Sequence, residues 1–465
     1  MTSETHFSNM LKMLIDESKI TRNELVRACE IDRSSFYQFL NGKRVPTKKQ
    51  YNRLVNALQI SRIEQNELDQ YFERAFLGEC TWENREKVHK CIRTLSYSEN
   101  QFFGQYQTFY TDAVLQNESQ HYEGKADVLQ LLQGFLVSAY ACDIPSFDLF
   151  MPSENDAFFE IMKHHFYKCG KKEVKIRQLM QFPVGKEISG SVLDSFNDSL
   201  YFFSRGCDGF EIFYYYAAAW MKNCIGVFYP YFIMDSKRII LVNAEFDKAV
   251  LSVDSSIVEA YKESFQKAIT ASKEMVKKHA SVDEAIRIYE ELAETKNTIL
   301  YYSNMPCFAQ MATEEWIMKY MDPGCQQLFN EHCAKIRENE NMIEFFSLTG
   351  FGQFMKDGIV DELPSGYVKV IEPEDRIKVR DFIIDHLNKK IFLIDETKIP
   401  DVDSWALFIA EGEKIIMQRK KIETFYNIDI SERNIVDAFS ECLGSLPSGK
   451  YVLPKDEAEK MLLNQ

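Results

Sequence analysis

The sequence predicts a multidomain protein, an all-α head followed by a mixed α/β body made of two related α/β modules. Length is the first reason: 465 residues and 54.4 kDa exceed what one hydrophobic core usually serves. Charge placement is the second. The chain carries −15 overall, yet Lys19 to Arg62 holds ten basic residues against three acidic ones, a net +7 that leaves −22 for the rest. The third is a change of apolar rhythm near residue 75, from helical spacing to alternating strand-like and helix-like segments. With 45% hydrophobic and 27% charged residues, the chain is neither collagen-like nor disordered. Its 35 Phe and 23 Tyr promise filled cores or a roomy aromatic pocket.

The head, residues 1–75, reads as consecutive short helices. Phe7, Met10, Leu11 and Leu14 recur at helical spacing. Thr21 stands three residues before Glu24, a capping box that opens a second helix through Leu25 and Val26. After a break at Glu30-Ile31-Asp32, Asp32 can cap the helix Arg33 to Leu40, whose Phe36, Phe39 and Leu40 face inward. Asn41-Gly42 stops it, since both tolerate a left-handed backbone. Pro46-Thr47 starts the next helix, with Tyr51, Leu54, Val55 and Leu58 as its buried stripe.

The run from Ile20 to Ser61 resembles the helix-turn-helix of the lambda-repressor/Cro family, the Xre type. The resemblance rests on Leu25 in the first helix of the pair, Ile31 at the turn, a polar second helix, then Gly42, Lys43-Arg44 and Pro46. It covers roughly residues 7–62. Two positions depart from the family pattern: Arg22-Asn23 replaces a common Gln that touches the DNA backbone, and Glu30 takes the place of the usual turn Gly. The resemblance implies a recognition helix in the major groove of double-stranded DNA, where N-terminal side chains reach base edges. By position, the base readers are Arg33, Ser34, Ser35, Tyr37 and Gln38. Arg33 offers two donors suited to guanine, and Gln38 can pair with adenine. Arg22, Lys43, Arg44, Lys48 and Lys49 are placed to grip phosphate.

Residues 76–95 read as a helical connector, and the body follows as modules 96–278 and 280–465. Strands are expected at Phe147–Met151, Val174–Leu179, Ile239–Val242, Ile299–Tyr302 and Ile391–Ile394. Helices are expected at Asp156–Tyr167, from Ser255 to about Lys278, at Thr313–Tyr320 and at Glu374–Leu387. Two segments suggest duplication. Tyr231–Val242 parallels Leu407–Gln418, each a strand, an acid-containing turn, a basic residue and an apolar strand. Farther on, Ile257-Val258-Glu259-Ala260-Tyr261 parallels Ile435-Val436-Asp437-Ala438-Phe439. The apolar stretch Ile212 to Ile233 is long enough for a membrane helix. Lys222, Asn223 and Pro230 interrupt it, so two buried strands with a turn near Lys222-Asn223 are expected instead, and no membrane partner.

Chemistry-bearing motifs are scarce. There is no G-x-S-x-G elbow, phosphate loop, Rossmann G-x-G-x-x-G or H-E-x-x-H, and Gly350-Phe351-Gly352 reads as a turn. No nucleophile, base and orienter can be nominated together, so no catalytic residues are assigned and the body is not expected to be an enzyme. His164-His165 with Cys169 and His332-Cys333 match no zinc pattern, so no metal and no cofactor are expected. Eleven cysteines without a framework, and no secretory leader, point to a cytoplasmic protein. Tyr214, Tyr216, Trp220, Tyr229 and Tyr231 concentrate on the expected apolar hairpin and are the candidates for an effector pocket. The reading is therefore a sequence-specific transcriptional regulator that acts as a homodimer, with a small-molecule or peptide effector. The second reading is a DNA-binding partner, antitoxin-like or an adaptor, whose body docks another protein.

Overall fold

A computed structural model of the chain describes residues 3–18, 20–96, 115, 118–151, 156–169, 173–184, 189–217, 229–279, 281–363, 366–420 and 426–465. The chain divides into two compact units, Met1–Glu86 and Lys87–Gln465.

The first unit is all helix. Its elements are α1 (Ser3–Glu17), α2 (Arg22–Ala28), α3 (Arg33–Leu40), α4 (Lys48–Leu58) and α5 (Arg62–Leu77), and α6 (Glu79–Ser96) spans the boundary between the units. The starts are set by side-chain caps. Thr21 with Glu24, Thr47 with Gln50 and Ser61 with Glu64 each form a reciprocal capping box, which satisfies amides that a helix start leaves without partners. Phe7, Leu11, Leu25, Phe36, Phe39, Leu54, Leu68 and Phe72 build one core. Tyr51 stacks on Phe72 with ring centroids 3.8 Å apart and donates its hydroxyl hydrogen to Asp69, so a buried phenol keeps a polar partner.

The second unit holds two mixed sheets. Chain order in the first half is β1 (Gln120–Glu123), α7 (Lys125–Tyr140), β2 (Ser146–Phe150), α8 (Asp156–Cys169), β3 (Lys175–Pro183), α9 (Ser189–Ser204) and β4 (Phe210–Ala217). It continues through β5 (Tyr231–Met234), β6 (Ile239–Val242), β7 (Lys248–Ser252), α10 (Ser255–Ala271) and β8 (Lys273–Glu274). The second half opens with β9 (Val276–His279), α11 (Val282–Glu294), β10 (Ile299–Tyr302), α12 (Phe308–Met311), α13 (Glu314–Tyr320) and α14 (Gln326–Glu338). There follow β11 (Met342–Phe346), α15 (Leu348–Asp357), α16 (Pro373–His386), β12 (Ile391–Leu393), β13 (Trp405–Ala410), β14 (Lys414–Arg419), β15 (Asn427–Ile430), α17 (Arg433–Gly444) and α18 (Lys455–Leu463).

The two sheets share one plan. The first runs β1-β7-β6-β5-β2-β3-β4, with β8 added at the β4 edge, and the second runs β9-β15-β14-β13-β10-β11-β12. In both, three parallel strands joined through helices lie beside an antiparallel meander, and the strand that opens the half closes the far edge. Parallel neighbours need a long crossover, which the helices supply. The aligned hairpins Tyr231–Val242 and Leu407–Gln418 fall on β5-β6 and β13-β14, at the same place in each plan.

One core spans both halves. Leu132, Phe135, Phe159, Phe196 and Phe202 from α7 to α9 pack together with Ile435, Val436, Phe439 and Leu443 of α17, and with Leu300, Tyr302, Leu407 and Met417 of the second sheet. Phe196 meets Phe439 edge to face at 6.2 Å. The outer face of the first sheet is covered by α10 through Val258, Phe265 and Ile269. The outer face of the second is covered by α11 to α16 and α18.

Four expectations are corrected. The strands flanking Ala218–Phe228 are not a hairpin: β4 pairs with β3 and β8, while β5 pairs with β2 and β6. Two strands therefore lie between them, and the expected turn at Lys222-Asn223 lies outside the described residues. The helix from Ser255 stops at Ala271, because Ser272 adopts an extended backbone and Val276–His279 is claimed by β15 as its neighbour. Gly350-Phe351-Gly352 is helical, within α15 capped by Ser347. A Cβ at Gly350 would stand 2.4 Å from the carbonyl oxygen of Asn304, so glycine serves close packing there rather than a turn. Fourth, Ser35 lies on the buried side of α3 rather than outward. Among the described residues, no helix is long and apolar enough to cross a membrane.

Candidate nucleic-acid interface

The pair α2 and α3 is joined by Cys29 to Asp32. Leu25 of α2 and Phe36, Phe39 and Leu40 of α3 are buried in the head core, which fixes how each helix is rolled. The turn needs a left-handed residue, and Glu30 supplies it at φ 51°, a conformation that costs an L residue roughly 1–2 kcal/mol. Arg53 of α4 holds this turn from below. It donates to the Cys29 carbonyl oxygen at 3.2 Å and pairs with the Glu30 carboxylate at 2.9 Å. Arg53 was missed as a positioning residue, since only its place on the fourth helix brings it to the turn.

Asp32 caps α3 by accepting from the Ser35 amide at 2.8 Å. The Ser35 side chain, and after it that amide bond, hold the Asp32 carboxyl below its ordinary pKa. Of the five base readers expected, Arg33, Ser34 and Gln38 are exposed and Tyr37 is half-buried. The Arg33 guanidinium lies over the Tyr37 ring, 5.9 Å from its centroid, so the first turn of α3 offers a cation against an aromatic face. Ser35 is buried at 8% exposure, and its hydroxyl accepts from Arg44 at 3.4 Å. It is not an outward residue, because it shares the inner side of α3 with Phe36 and Phe39.

The phosphate candidates Arg22, Lys43, Arg44, Lys48 and Lys49 are all exposed. Arg22 is paired with Asp16 at 2.9 Å, an exposed pair that salt or a phosphate can displace. Gly42 ends α3 at φ +63°, and the loop carrying Lys43 and Arg44 leads into α4, whose first turn holds Lys48 and Lys49. The Lys48 ammonium stands 5.9 Å from the Phe76 ring centroid. Arg33, Gln38 and the cations of the following loop and helix start lie within 17 consecutive residues, Arg33 to Lys49, and all of them are exposed.

The four described residues expected to line an aromatic pocket in the body do not come together. Tyr214 is buried, with 5% exposure. Tyr216 donates to Glu432 and receives a hydrogen bond from Asn434 at 3.1 Å; burial, then that carboxylate, pushes its phenol pKa well up. Tyr231 sits on β5, where it stacks on Phe246 at 5.6 Å, and Tyr229 lies 3.3 Å from His121. Three strand spacings separate β4 from β5, about 14 Å, so Tyr214 and Tyr216 do not share a cavity wall with Tyr231. Trp220 lies outside the described residues.

A polar cluster that the sequence did not announce lies at the carboxyl ends of the parallel strands of the second sheet. Lys420 is fully buried and donates to Ser303 at 3.1 Å and to Asn304, with Asp361 3.5 Å away. Burial pushes the lysine pKa down, against the pull of four surrounding carboxylates. Two buried glutamates lie nearby. Glu344 accepts from the Cys307 amide at 2.8 Å and Glu362 from the Phe308 amide at 3.1 Å. Burial raises them to about 8 and about 7 respectively. Residues 303, 344, 361 and 420 are far apart in sequence and only the sheet brings them together. Among the described residues, no group of three or more His, Cys, Asp or Glu could hold a metal ion.

No protein-family model matches the chain, and no curated protein matches it.

Proposed function

We propose that the head binds double-stranded DNA in the manner of an Xre-type helix-turn-helix and that the chain is a cytoplasmic, sequence-specific transcriptional regulator. The observation that supports this best is the roll of α3. Its apolar side is locked into the head core, which leaves Arg33, Ser34 and Gln38 exposed at the start and middle of a helix slim enough for a major groove. Arg33 reads guanine, Gln38 reads adenine, and Lys43, Arg44, Lys48 and Lys49 grip the flanking phosphates. The segment Lys19 to Arg62 carries +7 inside a head that nets +2 over residues 1–75, while residues 76–465 net −17, which fits a cationic recognition segment on a body that the duplex repels.

One short recognition helix reads few base pairs, so the body serves as a homodimerisation and effector-sensing element. Two heads on half-sites about 34 Å apart multiply both affinity and site length. An effector acts by binding one body conformation better than another. Selection of bound duplexes from a random pool, with the purified full chain, tests the reading. The expected result is an enriched two-fold symmetric sequence; enrichment of no sequence overturns it.

A further inference from the structure

Two small chambers lie on the outer side of the second sheet. The inner one is walled by Leu292 of α11, Phe308 of α12, Cys333 of α14 and Phe408 of β13, and the outer one by Ala285, Leu328 and Tyr367; each offers about 50 Å³. Tyr289, Phe329 and His332 line both, so the chambers adjoin. The Tyr289 hydroxyl and the His332 Nδ1 are buried and make no hydrogen bond. A buried polar atom without a partner costs about 1–3 kcal/mol, which makes two of them, on residues that line both chambers, an observation that asks for a ligand.

We propose that these chambers take one uncharged aromatic molecule carrying a single hydroxyl group, a phenol, held between Tyr289 and His332. The room supports that size: each chamber holds roughly three or four water-sized groups, and a phenol spans both. The walls are aromatic, from Phe308, Phe329, Phe408 and Tyr289, and aromatic rings favour stacked or edge-on ring neighbours. One hydroxyl answers both orphan atoms, accepting from the Tyr289 hydroxyl and donating to the His332 nitrogen. Burial keeps His332 neutral by pushing its pKa down to about 4, so that nitrogen carries no charge for an anion to seek. Above about pH 7, where Glu362 gives up its proton, an anion would also meet that carboxylate, which lines the inner chamber.

The inference deepens the effector-sensing part of the function proposed above, and binding is measured without DNA so that the two fail separately. Isothermal calorimetry on the full chain compares phenol, toluene and benzoate. The expected result is saturable one-site binding of phenol, roughly five- to tenfold weaker binding of toluene for the lost hydrogen bonds, and none of benzoate. Tyr289→Phe, which keeps the ring and leaves the His332 nitrogen in place, removes one of the two hydrogen bonds and brings phenol part of the way down to the affinity of toluene. Leu292→Trp fills the inner chamber and abolishes both. Absence of saturable phenol binding to the unaltered chain, or undiminished phenol affinity in Tyr289→Phe, overturns the proposal and leaves the chambers to water alone.

Discussion

The helices α10 and α17 begin with near-identical quintets, Ile257-Val258-Glu259-Ala260-Tyr261 and Ile435-Val436-Asp437-Ala438-Phe439, and occupy the same place in the two sheet plans. Their surroundings differ. Val258 and Val436 are both buried, and Glu259 and Asp437 both exposed. Yet Ile257 is 40% exposed where Ile435 is fully buried, and Tyr261 is half-buried where Phe439 is fully buried. The outer helix covers one sheet and turns polar residues such as Glu263, Gln266 and Lys267 outward. The inner helix lies between its own sheet and the α7 to α9 layer of the other half. The same local pattern thus serves as a surface helix or a middle layer, and part of the difference lies after the quintet, where buried Cys442 of α17 takes the place of exposed Ser264 of α10.

This asymmetry predicts unequal costs for equal truncations. Phe439→Ala removes a fully buried ring at the junction with Phe196 and should cost about 3–5 kcal/mol, whereas Tyr261→Ala should cost about 1 kcal/mol, both read from urea denaturation of the full chain. Similar losses would erase the distinction between the two helices. Ile435→Ala should cost about 2–5 kcal/mol, while Ile257→Ala should stay within about 0.5 kcal/mol of the parent.

A third difference is electrostatic. In the first half the buried ion is a paired Lys163, 2.8 Å from Asp198. In the second half Glu344 and Glu362 are buried with raised pKa values, about 8 and about 7. Across the window from the ordinary carboxylate value of 4.5 to about 8, the folded state holds protons that the unfolded chain has released. Stability is therefore fully present below that window and falls as pH rises through it. The melting temperature should drop from pH 5 to pH 8, roughly the span these pKa values define, and Glu344→Gln should flatten the slope. An unchanged slope in that variant would show that Glu344 titrates normally.

Much of the head was legible because its signals are local. Thr21 and Asp32 cap where their types predict, Asn41-Gly42 ends α3, and the inward stripe Tyr51, Leu54, Val55, Leu58 is buried, whereas Pro46-Thr47, expected to start α4, lies just before it with Thr47 as its cap. Ser35 was misplaced because one polar residue on the inner side of a short helix does not disturb its pattern. In the body, strand positions such as Ile239–Val242 and Ile299–Tyr302 were readable from apolar runs, but their neighbours were not. Pairing is non-local, so β4 and β5, separated by a short stretch of chain, end up with two strands between them. The Lys420 cluster and the Tyr289 and His332 chambers were hidden for the same reason: their members come from different strands and helices.

The smallest differences fall in the head, where the choice between base readers and phosphate grips turns on single side chains. The decisive measurement is the affinity of the full chain for its selected duplex and for a scrambled one, across a range of salt. Arg33→Ala and Gln38→Ala are predicted to lose about 1–3 kcal/mol on the selected duplex alone, while Lys43→Ala and Lys49→Ala weaken both duplexes equally and lower the salt slope by about 1 each. Equal losses on both duplexes for Arg33→Ala and Gln38→Ala, or no loss at all, would contradict the account.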